Sequence, residues 1–131
     1  MSLNIIETIN NLEKLLFLSP ATDEEVKAAE RDLGVKFADE YIEYVKTFGV
    51  ITAKGIELTG ITISDRLSVV AATVREKDLN KNILDNMYVV ENVAIDGIII
   101  LQDETGTIYS ATPGKYPEKI FGSLSEYIKN R

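Results

Sequence analysis

The sequence predicts a single α+β domain, a mostly antiparallel sheet of mixed strand lengths with helices packed beside it. Three observations predict this. Helix start and stop signals recur along the chain, most clearly at Thr22–Gly34 and from Ser123 onward. Short β-prone runs separated by glycine turns fill residues 50–63 and 87–111. The chain has 131 residues, 45% of them hydrophobic, enough for one core that buries roughly two thirds of the unfolded surface. No repeat, linker or low-complexity segment divides it, so residues 1–131 are read as one domain.

Ile5, Ile9, Leu12 and Leu16 fall at helical spacing, which predicts an N-terminal helix over residues 4–18, ended before Ser19-Pro20. A helix pair over residues 22–49 follows. Thr22 and Glu25 form a capping box, and Asp23 and Glu24 add negative charge at the positive end of the helix dipole. Val26, Ala29 and Leu33 make one apolar stripe, and Gly34 suits a left-handed C-terminal cap. In the second helix Tyr41, Val45 and Phe48 share a face and Gly49 ends it. Asp39 and Glu40, like the acids of the first helix, are read as dipole compensation and a solvated face.

Val50–Thr52, Ile56–Leu58 and Ile61–Ile63 read as short strands broken by Gly55 and Gly60. Ser64–Asn80 reads as helix, with Val69, Val70, Thr73 and Val74 as its buried face. An antiparallel meander is expected over residues 86–111. Its turns are Asp96-Gly97 and Asp103–Gly106, and its middle run, Ile98–Leu101, is apolar on both faces, as a central strand would be. Pro113-Gly114 and Tyr116-Pro117 break the chain, and a capping box of Ser123 and Glu126 opens a C-terminal helix over residues 123–130.

Composition excludes several function classes. With no cysteine there is no disulfide, thiolate metal site or thiol nucleophile, which fits a reducing cytoplasm. With no histidine, the usual general base near neutral pH and the commonest metal ligand are missing. No phosphate-cradling glycine motif is present. No catalytic residue, metal or cofactor is therefore expected, nor a small-molecule ligand. The N-terminus shows no secretory pattern and no apolar run approaches ~18 residues, so neither export nor a membrane span is expected.

The net charge is −7, which disfavours direct binding to nucleic acid. Residues 23–43 hold eight acids and three bases. Residues 82–114 hold five acids (Asp85, Glu91, Asp96, Asp103 and Glu104) and no Lys or Arg at all. The acids at the meander's turns, Asp96, Asp103 and Glu104, with Glu91 and Tyr109 nearby, are the candidate partner-binding face. Asp before Gly is also plain turn chemistry.

The order of these pieces resembles the SUKH superfamily, which includes yeast cell-wall-assembly regulators and bacterial immunity proteins. Glu30, Leu33-Gly34, Tyr41 and Phe48-Gly49 stand where that family's helix pair carries its signature. Ser68-Val69-Val70 with Thr73, Tyr88-Val89-Val90, Asp96-Gly97, Thr105-Gly106-Thr107-Ile108-Tyr109 and Phe121–Ile128 resemble its later elements. Phe37-Ala38 in place of Leu-Pro, Gly49-Val50 in place of Asn-Gly and the lack of tryptophan mark a divergent member. The resemblance implies a non-enzymatic binding protein, an immunity protein (antitoxin) that neutralises a cognate polymorphic toxin in the cytoplasm. Nucleases are frequent among such toxins, and their basic clefts suit an acidic binder. The alternative is a regulatory adaptor of the same superfamily, anchored by Tyr41, Tyr44 or Tyr116. A carboxylate enzyme, or a Mg²⁺ or Ca²⁺ site at Asp96, Asp103 and Glu104, is the third possibility.

Overall fold

The computed structural model describes residues 4–131. Helix α1, Ile5–Asn10, is capped by Asn4, whose Oδ1 accepts from the Ile6 N–H at 2.8 Å. It is shorter than the expected 4–18. The chain leaves the helix at Asn11, takes a positive φ of 56° at Lys14, and pairs Leu16–Phe17 (β1) with a strand instead. The apolar spacing that suggests helix out to Leu16 is satisfied by sheet, where Leu18 N donates to Val50 O and Lys54 N to Glu13 O.

The helix pair forms as its signals dictate. Asp23–Leu33 (α2) has both halves of the capping box, with Thr22 N donating to Glu25 Oε1 at 2.9 Å and Glu25 N to Thr22 Oγ1 at 3.1 Å. It ends on Gly34 at φ 65°. Asp39–Phe48 (α3) turns Tyr41, Tyr44, Val45 and Phe48 into the core. Ile51–Ala53 (β2) and Ile56–Glu57 (β3) complete a three-stranded antiparallel sheet of order β1-β2-β3. Ile61–Ile63 is not a strand: Ile63 is fully exposed, and the nearest pairing is an isolated bridge from Gly60 to Ser68.

Helix α4 begins later than expected, at Val69, and runs to Leu79 behind the cap Ser68. Its buried positions are Val69, Ala72 and Thr73, while Val74 is exposed. Thr73 is the tie to the sheet, because its Oγ1 accepts from Val89 N at 2.9 Å. Such a bond inside the core helps to orient a helix whose apolar positions alone define no clean stripe.

The meander is Tyr88–Asn92 (β4), Ile99–Gln102 (β5) and Ile108–Ala111 (β6), joined by a fourth strand, Glu118–Phe121 (β7), in the order β4-β5-β6-β7. β7 lies beyond two proline breaks and alternates no apolar face, so no strand pattern marks it in the sequence. Leu124–Lys129 (α5) closes the chain behind the cap Ser123. Both faces of the meander are buried. Tyr88, Val90, Ile100 and Ile108 join α1, α2, α3 and α5 in the main core. Val89, Ile99, Leu101 and Ala111 face a smaller cluster with Ala72 of α4, Ile83 and Met87. This is the two-sided burial expected of Ile98–Leu101.

Candidate functional site

The five residues predicted to make one face do not do so. Glu91, far from being exposed, is 1% accessible. A register shift between Val89 and Glu91 lets Val90 and Glu91 both turn toward the main core. There the carboxylate is held on both oxygens. Arg131 donates Nε to Oε1 at 2.9 Å and Nη2 to Oε2 at 3.0 Å, Tyr127 donates its hydroxyl to Oε1, and Glu57 donates its backbone N–H to Oε2 at 2.9 Å. This bidentate ion pair locks α5 and the C-terminus onto both sheets. Glu91 is therefore withdrawn from any contact face. Arg131→Ala leaves a buried carboxylate without its counter-charge and is expected to cost about 2–4 kcal/mol, read from urea unfolding. A loss below about 0.5 kcal/mol would show that the pair does not hold the terminus.

Asp103 is also buried, 6% accessible, at the turn between β5 and β6. Its Oδ1 accepts from Thr105 N at 3.0 Å and its Oδ2 from the Tyr109 hydroxyl at 2.8 Å. The structure thus brings Asp103 and Tyr109 together as turn chemistry. Partial burial and the neighbouring carboxylate push the Tyr109 hydroxyl upward. Glu104 is exposed beside a shallow cleft that it shares with Glu30, Arg31 and Lys36, so its neighbours include two cations. Asp96, at φ 53°, sits in the turn between β4 and β5, at the opposite end of β5 from Asp103 and Glu104. One strand separates the two turns, so Asp96, Asp103 and Glu104 form neither one acidic face nor one metal-ligand set.

Two further expectations change. Tyr41 and Tyr44 are fully buried and cannot anchor a partner; of the three named tyrosines only Tyr116, 72% accessible, faces solvent. Glu40, which reads in the sequence as a helix-dipole acid, instead accepts from Gln102 Nε2 at 2.7 Å and from the backbone of Leu124 and Ser125. It joins α3, the meander and the start of α5. Its partners are 62 to 85 residues away, so no local pattern reveals them.

A different feature emerges on the outer face of the four-stranded sheet. Helix α4 covers only part of that face, leaving a cleft of about 400 Å³ between α4 and the β4–β6 strands. Leu79, Ile83, Ile99, Ala111 and Pro113 give it apolar walls, and Asn80 is fixed at one side by Nδ2 bonds to the Thr112 and Lys115 carbonyls. The size suits a buried side chain or short segment. Seven of its ten lining residues come from the base-free stretch 82–114, and none of the ten is basic. Leu79 in its wall is exposed, and the chain segments that lead away from it carry two more exposed apolar residues, Ile95, two residues before the lining Gly97, and Tyr116, three after the lining Pro113. Large exposed apolar side chains beside a cleft are the composition of a contact surface. The missing bases are the one sign of this cleft in the sequence, where they point to the turns instead.

No curated protein matches the chain. The family model SUKH_5, described as SMI1-KNR4 cell-wall, matches residues 3–131, nearly the whole length. The chain therefore belongs to the SUKH (SMI1-KNR4) family, which includes immunity proteins and regulators, is generally non-enzymatic and typically acts through protein–protein interaction.

Proposed function

We propose that this protein is an immunity protein of the cytoplasm that neutralises a cognate secreted toxin by binding it, and that the contact lies on the outer side of the meander at its Asp96 end. The observation that carries this reading is the apolar cleft without a basic lining residue, with Leu79 exposed in its wall and Ile95 and Tyr116 exposed on the segments leading from it. The buried carboxylates Glu91 and Asp103 and the half-buried Glu40 support it from the other side, because each is occupied in holding the fold. A net charge of −7 favours a cationic partner, as a nuclease toxin would be.

The test starts from the genes flanking this one and uses a toxin-like protein encoded there; flanking genes that encode none would count against the immunity reading. Co-expression is expected to restore growth, and calorimetry to show a complex. Asp96→Lys is expected to slow association about three- to tenfold at low salt, with the difference fading at high salt, while Glu104→Lys at the far turn leaves it unchanged. Growth that stays arrested despite soluble protein would overturn the immunity reading. Partners without toxic activity in a pull-down would instead identify a regulatory adaptor.

A further inference from the structure

We infer that the cleft between α4 and the outer sheet face receives an arginine or lysine side chain carried on an apolar segment of a protein partner, with Glu76 as its counter-anion; this deepens the reading of the chain as a partner-binding domain. Glu76 is the single charged residue among those lining the cleft. Its side chain is only 14% accessible, yet the one hydrogen bond to its carboxylate among the described residues comes from Arg75 Nε at 3.4 Å. That is well beyond the ~2.7–2.9 Å of a charge-assisted bond, and the Arg75 side chain is itself 45% accessible. A carboxylate whose one partner is this long contact keeps acceptor capacity for an incoming cation, which can bind it at closer range.

The walls select the shape of the cation. Arginine and lysine carry apolar stems that pack along Leu79, Ile83 and Ile99 while the charged head reaches the rim. A free metal or small ammonium ion would leave those walls uncovered. Leu79 is 72% exposed at the wall, and Ile95 and Tyr116 are exposed on the segments that leave it, more apolar surface than one side chain covers, so the cation arrives on a longer segment.

The experiment is an amide-resolved NMR titration of the full chain with two acetylated and amidated pentapeptides, Gly-Leu-Arg-Leu-Gly and its citrulline counterpart, which keeps the shape and loses the charge. Saturating shifts are expected at Ile83, Ile99 and Ala111, with the arginine peptide bound about tenfold more tightly. In Glu76→Gln that preference is expected to fall below about twofold. Ala111→Leu, which fills the floor of the cleft, is expected to abolish binding of both peptides and is the deciding variant if Glu76→Gln does not fold. No shifts in the cleft, shifts confined to the exposed apolar residues Leu16, Phe17 and Leu18, or an unchanged preference in Glu76→Gln would overturn the inference. Failure of toxin protection with the arginine preference intact would remove the toxin and leave the cleft assignment standing. Protection that survives Ala111→Leu would do the reverse.

Discussion

Gly60→Ala is expected to destroy the native fold, although glycine to alanine is the smallest side-chain addition available. A Cβ on Gly60 would lie 2.0 Å from the Gly49 carbonyl oxygen and 2.8 Å from Val50 Cγ2. The first of these is a backbone atom, so no side chain can turn aside. The backbone itself is pinned as well. Gly60 N donates to Leu67 O at 2.8 Å, Gly60 O accepts from Val69 N at 2.9 Å, and the same Gly49 oxygen accepts from Ile61 N at 3.1 Å. Gly49 repeats the problem one layer on, since its own Cβ would sit 2.1 Å from the Ser19 oxygen. Three backbone segments, from the end of β1, the end of α3 and the approach to α4, therefore pack through two glycines. Relieving the overlap means breaking several of these bonds at once. The cost is expected to exceed about 4 kcal/mol, a large part of the ~5–15 kcal/mol that holds a domain together. Gly34→Ala is the control. Gly34 has φ 65° but nothing within 4 Å of its Cβ position, so only the left-handed backbone is penalised, by about 1–2 kcal/mol. Urea unfolding of the two variants separates the cases. A Gly60→Ala protein within about 1 kcal/mol of Gly34→Ala would show that the three segments do not approach this closely.

Gly60 also shows where the sequence stops being readable. As a letter it marks a break between β-prone runs, and it is one. That it admits the Gly49 carbonyl depends on a neighbour brought in by tertiary packing. The capping residues Thr22 and Ser123 are legible because each makes its bond within three residues; Ser68 does the same, but the β-prone letters around it hide the start of α4. Helix α1 reads too long for the complementary reason. Leu12, Leu15 and Leu16 keep a helical period, but β2 offers the backbone a better partner than another turn of helix, and no local rule weighs a strand some 35 residues away. β7 is illegible because it is stabilised by β6 rather than by alternation of its own. The site follows the same division. An acid on a strand reads as solvent-facing, which puts Glu91 outside. Its cation, Arg131, lies 40 residues on, and the register shift that turns it inward leaves no mark in the composition. The lack of Lys and Arg over residues 82–114 is a real signal, but it describes the walls of a cleft shared with α4 rather than an acidic edge.

Raising the pH above 10 is expected to unfold the protein cooperatively, with a larger effect than any single substitution short of Gly60→Ala. Four of the six tyrosines have hydroxyls held out of water. Tyr41 bonds Thr59 Oγ1 at 2.9 Å, Tyr44 donates to Thr59 O at 2.8 Å, Tyr88 donates to Gln102 Oε1 at 2.9 Å, and Tyr127 donates to Glu91. Burial is the largest cause pushing all four upward; Tyr41 adds to the shift at Tyr44, and Glu91 adds to that at Tyr127. In the unfolded chain each ionises near pH 10. A folded value raised above the unfolded one contributes stability that is fully present below about pH 10 and is lost as pH climbs past it. Each such tyrosine surrenders up to about 1.4 kcal/mol per pH unit, so four together lose about 5–6 kcal/mol by pH 11. That reaches the lower end of the ~5–15 kcal/mol that holds a domain together, and the loss keeps growing above pH 11. Absorbance at 295 nm and far-ultraviolet circular dichroism, followed together, are expected to change in one step between about pH 10.5 and 12. Phenolate absorbance from the four buried tyrosines with the dichroism intact would mean that these hydroxyls reach water without opening the core. The layer of Tyr41, Tyr44, Tyr88 and Tyr127 would then not be the interior that joins α3 to both sheets.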